Sequence, residues 1–201
     1  MIMRPYPPAE LTDEFRPYIA VEPASNLKEW VIQEILEDTG NLFNEKHIHL
    51  LDSELEFMWA SDSFEKQGRV VLGQAEQVSF MAGGWKKARM EQQVFEWFGY
   101  VPKFIITLSA EYCNHCSNVE FCSLVEHELF HIAQKLDEFG TPKFDKKTGM
   151  PVLTLVDHDV SEFIEVVNRY GTDESSGEIV TAHFRDSLRV DMKRIDKACN
   201  G

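Results

Sequence analysis

Nothing in the chain is long and apolar enough to cross a bilayer: its longest apolar stretches, such as 104–108 and 150–156, fall far short of the roughly 20 residues a span requires. The first residues, Met-Ile-Met-Arg-Pro-Tyr-Pro-Pro, lack the apolar core and cleavage site of a secretory signal, so a cytoplasmic location is the expectation. Cysteine is scarce, with Cys113, Cys116, Cys122 and Cys199 in 201 residues. That number does not make a disulfide framework and points to thiols or metal ligands in a reducing compartment. Basic residues are also few. Twenty Lys and Arg stand against 34 Asp and Glu, a net charge of −14, which argues against broad contact with phosphate backbones, so no nucleic-acid partner is expected. There is no internal repeat and no low-complexity tract.

What is present is ordinary globular composition, 43% hydrophobic and 27% charged, in a length that suits one domain. Residues 1–60 are the most anionic third, with 4 basic and 12 acidic groups. Such a face is usually a solvated surface, although it can also mimic nucleic acid. Prolines 5, 7, 8, 17 and 23 exclude a continuous helix over residues 1–24 and suggest an extended arm ahead of a single domain over 25–201.

Periodicity and caps predict a helix starting near Asn26 and stopping by Gly40, and another over 85–98 ending at Gly99. Two paired strands are expected at 55–60 and 69–72, and a further strand at 103–110. A helix over 119–139 closed by Gly140, a hairpin or irregular excursion over 143–156, and helices over 160–170 and 178–198 complete an α+β pattern. Trp30, Trp59, Trp85 and Trp97 are expected in the core.

The chemistry concentrates in Ser123-Leu-Val-Glu-His-Glu-Leu-Phe-His-Ile-Ala133. His127 and His131 are four residues apart, so on a helix their imidazoles share one face and can bind one Zn²⁺. Glu128 is turned about 100° from His127, which lets its carboxylate act on water as a general base without being a ligand. The apolar neighbours Val125, Leu129, Phe130, Ile132 and Ala133 suit a helix buried beneath a cleft.

A catalytic zinc needs a third protein ligand. Asp157-His-Asp-Val-Ser-Glu-Phe163 offers His158 just ahead of a capping box formed by Asp159 and Glu162. Glu162 is the rival ligand, with Asp157, Asp159 and Glu165 behind it. Asp157 and Asp159 could also orient a ligand imidazole. Tyr112 and Tyr170 are candidates for stabilising an oxyanion.

The two motifs together, His127-Glu-Leu-Phe-His131 and His158-Asp-Val-Ser-Glu-Phe163 leading to Val166-Val-Asn-Arg-Tyr-Gly171, resemble the phage metallopeptidase family over about residues 25–171. The second motif is also similar to a segment of the SprT and Spartan zinc proteases, whose histidine ahead of the helix is the third zinc ligand. The resemblance implies a zincin-like α+β fold with a small mixed or antiparallel sheet. It further implies zinc on His127, His131 and His158, Glu128 as the base, and a peptide or protein as substrate. Unlike the Spartan group, this chain has no basic DNA-binding region.

On this reading the strand over 103–110 would form the cleft's edge, where an extended peptide pairs as an added strand. The competing reading is a non-catalytic, zinc-stabilised acidic binding protein or DNA mimic directed at a host protein. Cys113-Asn-His115-Cys116 with Cys122 could furnish a second, structural zinc, but plain thiols are the simpler reading. His47, His49 and His183 lie outside any ligand pattern and are taken as ordinary side chains.

Overall fold

The computed structural model describes residues 3–13, 16–66, 68–157, 163–171 and 190–200. His158, Asp159, Glu162 and His183 fall outside the described residues, as does most of the helix expected over 178–198.

The elements run α1 (Ala9–Asp13), β1 (Val21–Pro23), α2 (Ser25–Val31) extended by a π-helical turn (Ile32–Leu36), a 3₁₀ helix (Glu45–Leu50), β2 (Leu55–Ala60), β3 (Phe64–Lys66), β4 (Arg69–Val71) and β5 (Gly73–Gln77). They continue with α3 (Gly84–Phe98), β6 (Phe104–Ser109), α4 (Ala110–His115), α5 (Asn118–Phe130), β7 (Ile132–Gln134), β8 (Leu153–Leu155), α6 (Ile164–Tyr170) and α7 (Met192–Asn200). The chain is mixed α+β, with small sheets and several helices.

The main sheet has the order β1-β2-β6-β5. Its centre is the parallel pair β2 and β6, in register from Leu55 opposite Phe104 to Ala60 opposite Ser109. All six residues of β2 are buried, as a strand covered on both faces requires. β1 and β5 flank this pair, both antiparallel to their neighbours. Leu27 and Trp30 of α2, Phe57 and Trp59 of β2, Ile106 and Leu108 of β6, and Phe121, Val125 and Leu129 of α5 form one continuous core. α7 closes it with Ile195 and Ala198, and the Trp30 indole donates to the Ala198 carbonyl at 2.8 Å. The proline-rich start of the chain joins this body: Arg4 and Leu11 are buried and β1 pairs with β2.

Several expectations change. β2 does not pair with β4; it is taken up by β6 and β1, and β4 pairs with β3 instead. The strand over 104–109 lies inside the sheet between β2 and β5, so its hydrogen-bonding edges are used and it cannot accept a peptide. Trp85 is 88% exposed and Trp97 only half-buried, because no residue of α3 is fully buried. Asn26 does not cap α2; the N-cap position is Ala24.

The helix expected over 119–139 spans 118–130. Its start is fixed by a capping box, Ser117 accepting from Glu120 N–H while the Glu120 carboxylate accepts from Ser117 N–H. Its end is set by sheet pairing, since the chain after His131 enters β7 and pairs antiparallel with β8, which buries Ile132. The expected helical continuation is a turn in which Asp137 Oδ1 accepts from Phe139 N–H and Thr141 N–H, at 2.8 and 2.9 Å, and Gly140 takes a φ of 77°.

Candidate metal centre

Glu126, His127 and Glu128 occupy the last turn of α5, and His131 is its C-cap. Four-residue spacing sets both imidazoles on one side, with ring centroids 5.1 Å apart. Ligand atoms of His127, Glu128 and His131 all lie within 4.8 Å of one another. Among the described residues this is the one group of three histidine, cysteine or carboxylate donors drawn together so closely.

The second contacts of His131 favour metal binding. Its Nδ1 lies 2.8 Å from the Val156 carbonyl, which can only accept, so Nδ1 carries the proton and Nε2 presents the lone pair. Val156 N–H in turn donates to the His131 carbonyl at 2.9 Å, so the β7–β8 pairing that ends the helix also fixes this ring. Phe163 stacks edge-on against both imidazoles, with centroids 5.4 Å from His127 and 4.8 Å from His131. This apolar flank limits the orientations the rings can take.

Glu128 is 3% exposed and lies against the first residue of β5. A Cβ at Gly73 would come within 2.6 Å of Glu128 Oε1, so the absence of a side chain there makes room for the carboxylate. Among the described residues β5 pairs with β6 on one side and ends the sheet order on the other. The sheet edge beside Glu128 is therefore β5.

Residues 28–187 match the family model described as Putative phage metallopeptidase. The chain belongs to this family. No curated protein and no solved structure matches it. The matched span includes both site histidines, Glu128 and the 158–163 segment. A metallopeptidase family implies a metal, and the His127–Glu128–His131 group is where this member could hold one. Among the described residues no helix is long and apolar enough to cross a membrane.

The opposite side of the same helical turn carries a network with no sequence signature. Glu126 is fully buried; its Oε1 accepts from Asn44 at 2.5 Å, and its Oε2 accepts from Arg169 Nε at 2.9 Å and from Tyr170 O–H at 2.5 Å. His47 Nε2 lies 3.4 Å from Oε1, and Arg169 also donates to the Leu42 carbonyl at 2.8 Å. Burial alone would raise the Glu126 carboxyl, but His47, Arg169 and Tyr170 outweigh it and hold the group below its ordinary value. His49 Nε2 lies 2.8 Å from the Ile132 carbonyl, and burial lowers its pKa.

Other expected site residues separate from the cluster. Tyr170 is engaged by Glu126, which removes it as an oxyanion donor, and Tyr112 is a half-buried residue of α4 packed against the core. Glu165 pairs with Lys46 at 2.7 Å, and Asp157 is exposed. The cysteines do not gather around a point: His115 turns to the Glu111 carbonyl at 2.8 Å, and Cys122 faces Cys199 with sulfurs 3.7 Å apart.

Proposed function

We propose that the chain is a zinc-dependent peptidase with a zincin-like fold, in which His127, His131 and His158 hold the metal and Glu128 is the general base. The observation that carries this reading is the convergence of the His127, Glu128 and His131 donor atoms within 4.8 Å, with His131 locked in the tautomer that offers Nε2. Paired imidazoles favour zinc over magnesium or calcium, which prefer all-oxygen sites. His158 as third ligand rests on its place in the second motif, with Glu162 as the rival donor.

Held by these residues, zinc would supply Lewis-acid chemistry, polarising the scissile carbonyl and making water more acidic. Glu128, buried beside β5, accepts the proton from the attacking water and returns it to the leaving amine. The outer edge of β5 takes the substrate as an added extended strand. Main-chain hydrogen bonds would then provide most of the affinity, with little demand on side chains. The substrate is a peptide or protein in the cytoplasm of a phage-infected or prophage-bearing cell.

The test is metal analysis combined with turnover on an unstructured protein substrate. Glu128→Gln is expected to retain zinc while slowing hydrolysis by at least about 10²; undiminished turnover removes the base assignment. His158→Ala is expected to lose zinc, and full retention transfers the third-ligand role to Glu162.

A further inference from the structure

Arg4 is a buried cation, and among the described residues no carboxylate makes a salt bridge with it. It is 4% exposed, and its guanidinium lies over the rings of Phe121 and Tyr6, 4.3 and 4.8 Å from their centroids. Nη1 donates to the Cys116 carbonyl at 3.1 Å and to Asn118 Oδ1 at 2.9 Å, and Nη2 donates to the Cys113 carbonyl at 2.6 Å. Those acceptors are all neutral. The remaining contact runs from Nη2 to Cys116 Sγ at 3.2 Å, while Nε is buried without a partner. Among the described residues no carboxylate oxygen comes within 4.0 Å of the guanidinium. A buried charge without a contacting counter-ion is costly, and of the described groups touching Arg4 the Cys116 thiol becomes an anion more readily than the Tyr6 phenol.

The surroundings of Cys116 favour that ionisation. The hydrogen bond with the Cys113 thiol and the Arg4 charge bring Cys116 down to about 7, against burial and the Glu120 carboxylate. The same hydrogen bond and burial push Cys113 far up. Glu120 itself is held at the α5 N-terminus by Ser117 N–H, at 2.7 Å. Cys116 is half-buried, whereas Cys113, Cys122 and Cys199 are buried, so Cys116 is the thiol a small reagent reaches first.

We propose that Cys113 and Cys116 form a redox-active dithiol that low-molecular-weight disulfides such as glutathione disulfide convert to an intrachain disulfide, with Cys116 the attacking thiolate and Arg4 its counter-ion. Cys116 Sγ attacks one sulfur of the small disulfide; its S–S bond breaks, a mixed disulfide forms, and the departing thiolate takes the proton that Cys113 releases. Cys113 Sγ then attacks Cys116 Sγ and expels the second small thiolate, which is protonated from solvent. The protein loses two electrons and the small disulfide becomes two thiols. This inference is independent of the peptidase reading.

The test exposes the reduced full-length chain to excess glutathione disulfide at neutral pH, blocks remaining thiols with iodoacetamide, and maps linkages by peptide mass spectrometry. A Cys113–Cys116 linkage is expected, and Cys113→Ala should stop at the glutathione adduct on Cys116. Alkylation of Cys116 at neutral pH should fall at least about threefold in Arg4→Gln. Because that variant can fail to fold, the pH midpoint of Cys116 alkylation is also measured in the unaltered chain, where it should lie well below that of an ordinary thiol. A Cys122–Cys199 linkage as the first product, no adduct on Cys116, or a midpoint at or above the ordinary thiol value overturns the proposal.

Discussion

The two sides of the last turn of α5 put similar residue types to opposite uses. On one side Glu126 is surrounded by Asn44, His47, Arg169 and Tyr170, and both carboxylate oxygens accept hydrogen bonds from named protein donors. On the other, His127, Glu128 and His131 bring donor atoms together, and the stacking of Phe163 together with the Val156 carbonyl orients the rings. Both sides hold histidine and glutamate. What separates them is what the side chains gather around: on one side a buried carboxylate, on the other donor atoms placed where a metal could be held. A carboxylate already matched by a guanidinium and a phenol is a structural tie, here joining α5 to α6 and to the 3₁₀ helix. Two imidazoles and a carboxylate whose donor atoms lie within 4.8 Å of one another form a group that could hold a metal ion.

That contrast breaks most sharply at Glu126. Glu126→Gln leaves Arg169 buried without its anion and should cost about 3–5 kcal/mol of unfolding free energy. Urea denaturation measures this, and a loss under about 1 kcal/mol would mean that the back side is not a structural tie. Turnover per folded molecule should fall far less than in Glu128→Gln. Tyr170→Phe removes a buried hydrogen bond to the same carboxylate, with an expected cost of about 1.5–3 kcal/mol. The smallest effect on folding belongs to the front side. Gly73→Ala forces the Glu128 side chain aside; because a side chain can yield, the cost should lie near the low end of the roughly 1–3 kcal/mol typical of overpacking. Zinc content should persist while turnover drops. Unchanged turnover in Gly73→Ala would separate Glu128 from the chemistry or show that its position is not critical.

The helix start, the pairing of His127 with His131 on one face, and the apolar side of α5 were all legible, because each depends on residues within one or two turns. The α3 boundaries were legible for the same reason, with Gly99 at a φ of 75° ending the helix. The end of α5 was not. Residues after His131 include good helix formers, but they pair with residues some twenty positions later. The edge strand was also hidden: Gly73-Gln-Ala-Glu-Gln77 has no β-branched residue, and it is a strand because β6 offers it a free edge. The strand with the strongest β signal, 104–109, is by the same logic the buried one and not the edge. Glu126, Asn44 and Arg169 carry no local pattern at all, since their partners are contributed by separate elements. Cys116 read as a plain thiol, and nothing near it in the chain signals that Arg4, more than a hundred residues away, is its neighbour.

By itself the sequence determined the chemistry-bearing turn: four-residue spacing on a helix brings two imidazoles and a carboxylate to one region whatever surrounds them, because helical geometry is local. Only the tertiary structure decided which sheet edge lies beside Glu128, which carbonyl fixes the His131 tautomer, and which glutamate is spent on holding the fold. Those outcomes depend on where distant segments come to rest, and long-range packing and pairing settle that through desolvation and hydrogen-bond satisfaction rather than through any pattern along the chain.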